Sequence, residues 1–305
     1  MNLSLTERSI ILLSCGLLVI LMSFHLKPKR YYIFIALLFI STLITSFGRN
    51  IDFFSIWQFS LFWMIVGIER IFPRNSYEVA SKENIKSICF ISIRQLAATA
   101  VIVQMKTGIL FWNKYSLHWA QKEIPLWVQV ATFILVADFI IYLLHRAQHR
   151  FSWYWSFHKL HHASKELTAF ANFRTHIIEF AVVQVGSRML LFRILGLSNE
   201  VLLYGNFIAS TISGIVSHAN IDWPKQRFKW LNYLIVTPNS HALHHSKFGK
   251  SVNFSETFPI WDLLFGTFSM PRNNVQIEFG IEDQKYTEEN GFRQHLESFF
   301  GKREL

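Results

Sequence analysis

Apolar residues in this chain arrive in long blocks. The strong blocks are Ser9–Leu26, Tyr31–Phe47 and Phe53–Ile68, followed by a weaker Ile85–Met105 and then Leu126–Leu144. A helix rising 1.5 Å per residue needs about 20 residues to cross the hydrocarbon layer of a bilayer, so the shorter blocks are minimal but adequate. The pattern predicts an all-α fold, a multi-pass transmembrane helical bundle. A second apolar pair, Ile177–Leu195 and Val201–Val216, carries Arg188 and Arg193. It either spans or lies in the interface as a shallow re-entrant hairpin. From Asn220 onward the chain is polar enough to form a cytoplasmic helical cap.

Charge placement sets the expected orientation. Lys27-Pro28-Lys29-Arg30 follows the first block and marks a cytoplasmic loop. The first block also has no small-residue cleavage site, so it reads as a retained helix rather than a signal peptide. Arg49 and Asp52 then form an outer turn, Glu69–Arg74 an inner one, and Gln121–Pro125 the turn of the next hairpin. His145 therefore emerges on the cytoplasmic side, with Leu305 in the same compartment.

Composition agrees with this reading. Hydrophobic residues make up 51% of the chain, Phe contributes 30, and charged residues reach only 16%, against about 25% in soluble domains. The net charge of +10 comes from Lys and Arg at block ends and in the C-terminal third. That placement suits anionic headgroups, and no nucleic-acid-binding motif accompanies it. Cys15 and Cys89 both sit in apolar runs without paired spacing, which indicates neither a disulfide nor a thiolate site. Lys302–Leu305 has the look of a lumenal retrieval signal, on the wrong side of the expected topology to be read.

Histidine changes the picture. Ten of the 13 histidines lie between His145 and His245. Eight of those form three boxes: His145 with His149, His158 with His161 and His162, and His241 with His244 and His245. Spacings of three and four place side chains on one helical face, so each box is expected to aim its imidazoles at one point. Neutral imidazole ligates iron, copper, zinc and nickel. Eight ligands exceed one ion and suit two, which predicts a histidine-rich dinuclear metal site held by the cap. An isolated histidine is usually a satisfied core residue, and His25, His118 and His295, which are isolated, are left out of the site.

Other residues stand beside the boxes. Asp138 lies two turns before His145 on the same face, where a carboxylate either orients a ligand imidazole or joins a structural ion pair with an arginine. Trp153–Phe157 is an aromatic run suited to headgroup level. Asn239 or Ser240 is expected to cap a short helix bearing the third box, and Gly249 to end it. His218 and His176 are undecided on spacing alone.

The three boxes in this order on membrane helices resemble the fatty acid hydroxylase/sterol desaturase superfamily of integral-membrane di-iron oxygenases. The likeness continues through Asn253-Phe254-Ser255 and Trp261-Asp262-Leu263-Leu264-Phe265-Gly266-Thr267, and covers about residues 126–267. It implies that His145, His149, His158, His161, His162, His241, His244 and His245 are metal ligands, and adds His218. Gly214 stands where some members carry a further histidine. His176 and Glu179 match a His-Pro-x-Glu element in which Ile177 replaces the proline, and Phe254 and Ser255 replace the family's Tyr and Gly. Asp138, His176, Glu179, Asn220, Asn253 and Asp262 are the expected supports of the ligands. The implied organisation is an N-terminal anchor over 1–80, a catalytic domain over 81–270 and a cytoplasmic tail over 271–305.

The resemblance implies two iron ions, O2 as co-substrate and oxidation of an unactivated C–H bond in a membrane lipid. The sequence holds no flavin, dinucleotide or haem motif, so electrons are expected from a separate cytochrome b5-like or ferredoxin-type protein docking on the basic face. Hydroxylation, desaturation and ether cleavage share the same boxes. A zinc transporter or zinc hydrolase is the competing reading. Zinc transport would want more acidic or histidine residues deep in the spans than Asp138 alone. A bis-histidine haem carrier would pair histidines at long spacing instead.

Overall fold

The computed structural model describes residues 53–76, 78–79, 81, 83–84, 87, 90, 94, 115–224, 226–248, 251–271 and 277–281. The blocks at 9–26 and 31–47, most of 85–105, both cysteines and Gly249 lie outside the described residues.

Every regular element among the described residues is helical, as the apolar pattern predicts. Helix α1 spans Phe53–Ile71 and α2 spans Leu126–Arg150. Helix α2 contains neither Gly nor Pro and starts behind Pro125, whose missing N–H would be unpaired at a helix start anyway. Its buried residues, Phe133, Ile134, Ala137, Asp138, Ile141, Tyr142, His145 and Gln148, recur at spacings of one, three and four. One stripe thus changes from an apolar packing surface to a polar one that carries His145 and Gln148 along its length. Among the described residues, α2 is the one helix long and apolar enough to cross a membrane.

Phe151 is extended and breaks the helix, and α3 (Ser152–His162) then turns back onto α2. The second apolar pair forms two helices. Helix α4 (Ile177–Glu179) runs into a π-helical stretch, Phe180–Gly186, and then into α5 (Ser187–Leu195). Helix α6 (Asn199–Ser210) likewise continues into a π-helical stretch, Thr211–Val216. Ser187, Ser210 and Ser217 flank these stretches, and each hydroxyl donates to the carbonyl four residues back, on Val183, Asn206 and Ser213. Such back-bonding loosens the α ladder and favours a widened turn. Sequence periodicity carries no sign of these stretches.

Two apolar clusters hold the frame. Phe133, Ile134 and Ala137 of α2 pack on Met189, Leu191, Phe192 and Leu195 of α5 and on Val201 of α6. The α2–α6 approach is close because Gly205 has no side chain: a Cβ there would lie 2.3 Å from the Phe133 ring. On the other side, Phe62, Trp63, Ile65 and Val66 of α1 pack on Ala169, Phe170, Ile215 and Ala219. Buried Glu69 of α1 accepts from the backbone N–H of Ala169 (2.8 Å) and of Asn220 (2.7 Å). Helix α1 therefore braces the chain on both sides of His218.

Two short helices complete the site. Helix α7 spans Pro238–His244, and α8 spans Ile260–Leu264. The cap of α7 is Thr237, not Asn239 or Ser240: its hydroxyl accepts from Ser240 N–H at 3.2 Å, and Pro238 takes the first helical position. Asn239 instead donates to Asp222 and Pro224 and accepts from Trp223 N–H.

Candidate metal centre

Four segments converge: the end of α2, the end of α3, the exit of the second π-helical stretch and helix α7. They bring nine histidines into two groups. His145, His149, His158, His162 and His244 form one, and His161, His218, His241 and His245 form the other. Within each group the ligand atoms lie within 4.8 Å of one another. Consecutive residues on a helix point about 100° apart, which explains the doubled histidines. His161 and His162 serve different groups, as do His244 and His245. The groups abut, with the rings of His162 and His245 stacked at 4.2 Å.

Hydrogen bonds fix which nitrogen each ring presents. The Nδ1–H of His145 donates to Phe254 O (2.7 Å), that of His244 to Val252 O (2.8 Å), and that of His161 to Arg174 O (3.2 Å). His218 donates to Gly214 O at 3.0 Å, and His158 to the Glu179 carboxylate at 2.7 Å. In each of these rings Nε2 is left as a bare lone pair. Yet His145 Nε2 faces His158 Nε2 at 3.1 Å, and His161 Nε2 faces His218 Nε2 at 3.1 Å. Two lone pairs at that distance repel unless a cation sits between them. The Nε2 atoms of His149 and His244 are likewise buried without a hydrogen-bond partner.

The donor set therefore fits metal ions. Imidazole nitrogens about 2.1 Å from an ion lie ~3.0 Å apart at right angles and ~3.4 Å apart in a tetrahedron. The contacts His158–His162, His218–His241 and His241–His245 measure 3.1, 3.0 and 3.0 Å. They match the right-angled arrangement. Burial and neighbouring imidazoles hold His158, His161, His162, His241, His244 and His245 well below the usual histidine range, and burial pushes His218 down to about 3. All seven are neutral at pH 7, the form that ligates.

The supporting residues divide. Glu179 is the one expected carboxylate that touches a site histidine, through His158. Asp262 acts one step removed. Its carboxylate accepts from Phe254 N–H and Ser255 N–H, both at 2.8 Å, and from the Thr267 hydroxyl at 2.7 Å, so it fixes the carbonyl that orients His145. Asn253, at φ 56°, bonds Ser240 O and both backbone groups of Ser269, which ties α7 to the α8 loop. Phe254 and Ser255 complete the turn without the tyrosine and glycine of the family pattern.

Asp138 neither orients an imidazole nor accepts a hydrogen bond from an arginine. It accepts from Thr257 N–H (2.8 Å), Phe258 N–H (3.1 Å) and Trp261 Nε1–H (3.1 Å), clamping the α8 loop to α2. His176 caps α4, accepting from Ile178 N–H at 3.2 Å, and packs on Phe157. Asn220 bonds Glu69 and Asn75 in the α1 brace. A side chain at position 214 would have to displace the Asn172 amide, which lies 2.8 Å from where a Cβ would stand. Sequence reasoning missed Glu69 and also the buried pair of Glu83 with Arg174, whose backbone carbonyl receives His161. No local spacing signals either one.

Two openings reach the histidines. A cavity of about 340 Å³ between the π-helical stretches touches His145, His158, His161, His218 and His241. A more open cleft on the far side is lined by Arg146, His149 and Arg150. The half-buried Trp155 packs on His149 and His162, with ring centroids 5.1 and 5.4 Å apart.

Residues 130–267 match the family model described as fatty acid hydroxylase. The chain is 30% identical over 169 residues to the ornithine lipid hydroxylase OlsE of Rhizobium tropici, covering 55% of this chain and 50% of the relative. It is 25% identical over 224 residues to the alkylglycerol monooxygenase of Caenorhabditis elegans, covering 70% and 41%. It is 29% identical over 175 residues to the very-long-chain aldehyde decarbonylase CER1 of Arabidopsis thaliana, covering 52% and 27%. The chain thus spans half or less of the length of these relatives. No solved structure matches it. Residues 130–267, which carry all nine histidines of the two groups, are thus the part of the chain that is similar to the fatty acid hydroxylase family.

Proposed function

We propose that the chain is a membrane-bound di-iron oxygenase that oxidises a C–H bond of a membrane lipid with O2 and electrons from a separate carrier. The observation that carries this reading is the pair of abutting groups of neutral imidazoles, five and four, whose lone pairs face one another without a proton between them. Two iron ions held there would supply the O2-activating chemistry. The relatives' names, lipid hydroxylase and monooxygenase among them, support the substrate class. The right-angled nitrogen spacing argues against tetrahedral zinc.

The chain's own residues have separable tasks. His145, His149, His158, His162 and His244 hold one ion, and His161, His218, His241 and His245 hold the other. Glu179 and four backbone carbonyls keep five of the rings in the ligating tautomer. The exposed apolar sides of the α4–α5 and α6 helices, with Val182, Leu190, Leu203 and Ile208, meet the bilayer and admit the lipid. The cleft with Arg146 and Arg150 faces the cytoplasm and receives an acidic cytochrome b5-like or ferredoxin-type donor.

The test compares lipid extracts from cells expressing the wild type or His158→Ala under isotopically labelled O2. A wild-type-specific lipid carrying one labelled oxygen is expected. Purified protein with two irons that yields no wild-type-specific lipid change, with a reductase system supplied, refutes the reading.

A further inference from the structure

The four-histidine group leans on residues outside 130–267. The Nε2 atoms of His161 and His218 face each other at 3.1 Å, and each ring sits on a segment gripped from earlier in the chain. His161 Nδ1–H donates to the Arg174 carbonyl. Arg174 is fully buried, and its guanidinium is paired with the buried carboxylate of Glu83. The same oxygen of Glu83 accepts from the Ser164 hydroxyl at 3.4 Å, two residues past His162. Glu83 thus ties both ends of the loop that leaves α3 and returns to His161. On that loop the Thr168 hydroxyl donates to the Asn84 side chain at 2.9 Å, and Ala169 N–H donates to Glu69 Oε1 at 2.8 Å. Glu69 Oε1 also receives Asn220 N–H at 2.7 Å, two residues past His218. One oxygen on α1 therefore sets the spacing between the His161 loop and the turn after His218. Replacing buried ionic groups with apolar ones is often neutral or stabilising, so burial alone does not account for carboxylates at these two positions. The five-histidine group is supported from within 130–267: His145, His158 and His244 take their acceptors from Phe254, Glu179 and Val252.

We infer that Glu69 and Glu83 are positioning residues for the four-histidine group, which makes the chain before residue 130 part of one metal site rather than an anchor alone. The two carboxylates hold His161 and His218 at the separation that a shared ion requires. Without them the two rings drift apart and the affinity for that ion falls, while the five-histidine group keeps its own. The effect runs through position, so an uncharged side chain that keeps an acceptor oxygen at position 69 performs the same task. The inference rests on the proposed dinuclear reading.

The test uses the full chain in nanodiscs, loaded with isotopically enriched iron and read by iron content, Mössbauer spectroscopy and release to a chelator. Wild type should hold two irons in two spectroscopic environments. Glu69→Leu and Glu83→Ala should each release one iron at least about tenfold faster than wild type. The spectrum of the retained iron should match one wild-type component. That component should also be the one left in His218→Ala, which removes a ligand of the same group. Adding Glu69→Leu to His218→Ala should then change nothing further, whereas a general loss of folding would take the remaining iron. Glu69→Gln, which keeps an acceptor oxygen, should release iron close to the wild-type rate. Loss of both irons together in Glu69→Leu and Glu83→Ala, or release of both at the wild-type rate, overturns the inference. Wild type that holds fewer than two irons overturns the dinuclear reading and this inference with it.

Discussion

Asp262 is the residue through which the α8 loop controls His145. Its Oδ1 receives Phe254 N–H and the Thr267 hydroxyl, and its Oδ2 receives Ser255 N–H, all at 2.7–2.8 Å in a site 1% exposed. Asp262→Asn is the same size but turns one acceptor into a donor. Whichever way the amide sits, at least one buried N–H or O–H then faces another donor, at a cost of about 1–3 kcal/mol. Asp262→Ala strands all three donors, and allowing for non-additivity this costs ~3–5 kcal/mol. The loss passes to the metal centre because the Phe254 carbonyl accepts the His145 Nδ1–H. Disturbing such an outer acceptor weakens metal binding roughly 10–100-fold. The assay is iron release to a chelator from the full chain in detergent, alongside hydrogen exchange over 253–256. For Asp262→Asn we expect two phases: half the iron, from the group containing His145, leaves at least about tenfold faster than in the wild type. The other half, held by His161, His218, His241 and His245, leaves at the wild-type rate. Release of all the iron in one phase at the wild-type rate, with the Phe254 and Ser255 amides still protected, would refute the chain of support from Asp262 to His145.

Glu179→Ala removes the acceptor of His158 Nδ1–H and should weaken iron binding by roughly 10–100-fold in equilibrium dialysis, with Glu179→Gln recovering part of the loss. An alanine variant that holds iron like the wild type contradicts that role. Gly205→Ala should destabilise the α2–α6 packing by about 1–3 kcal/mol, because the new methyl meets the Phe133 ring; thermal unfolding reads it, and an unchanged midpoint would mean the helices part easily. The seven histidines outside α2 have pKa values lowered from 6.5 in the folded chain. Below pH 6.5 the unfolded chain binds more protons, so metal-free protein should lose stability as pH falls, by up to about 1.4 kcal/mol per unit for each such group. A melting temperature of the stripped protein that stays flat from about pH 7.5 to 5 would exclude this.

What could be read from the sequence was local. Box spacing within α2, α3 and α7 is enough to gather imidazoles, because helix geometry carries residues three and four apart to one face. The expectation that each box aims at one point fails at the doubled histidines, because consecutive residues point about 100° apart and so enter different groups. What escaped was long-range. Asp138 is 119 residues from the Thr257 amide that it accepts from, and Glu83 is 91 from Arg174. A carboxylate near a histidine in sequence invites pairing with that histidine, whereas the fold delivered three better-placed N–H donors. The cap of α7 lies two or three residues before the expected Asn239 or Ser240, because Thr237 and Pro238 together define the helix start. The π-helical stretches have no hydrophobic signature, since they arise where serine hydroxyls compete for backbone carbonyls.

The doubled histidines have a consequence for engineering. Because sequence neighbours point into opposite groups, the centre is two interleaved frames that share scaffolding but no histidine. Each frame can be removed by substitution without cutting a helix. Replacing His161 and His218 with leucine would erase one frame and leave five imidazoles of the other on unchanged segments, which offers a mononuclear protein from a dinuclear one. A one-residue insertion after Leu160 would do something different. It would turn both rings of the pair by about 100°, carrying the first into the direction that the second held and swinging the second away from both groups, so α3 tolerates changes of residue far better than changes of length.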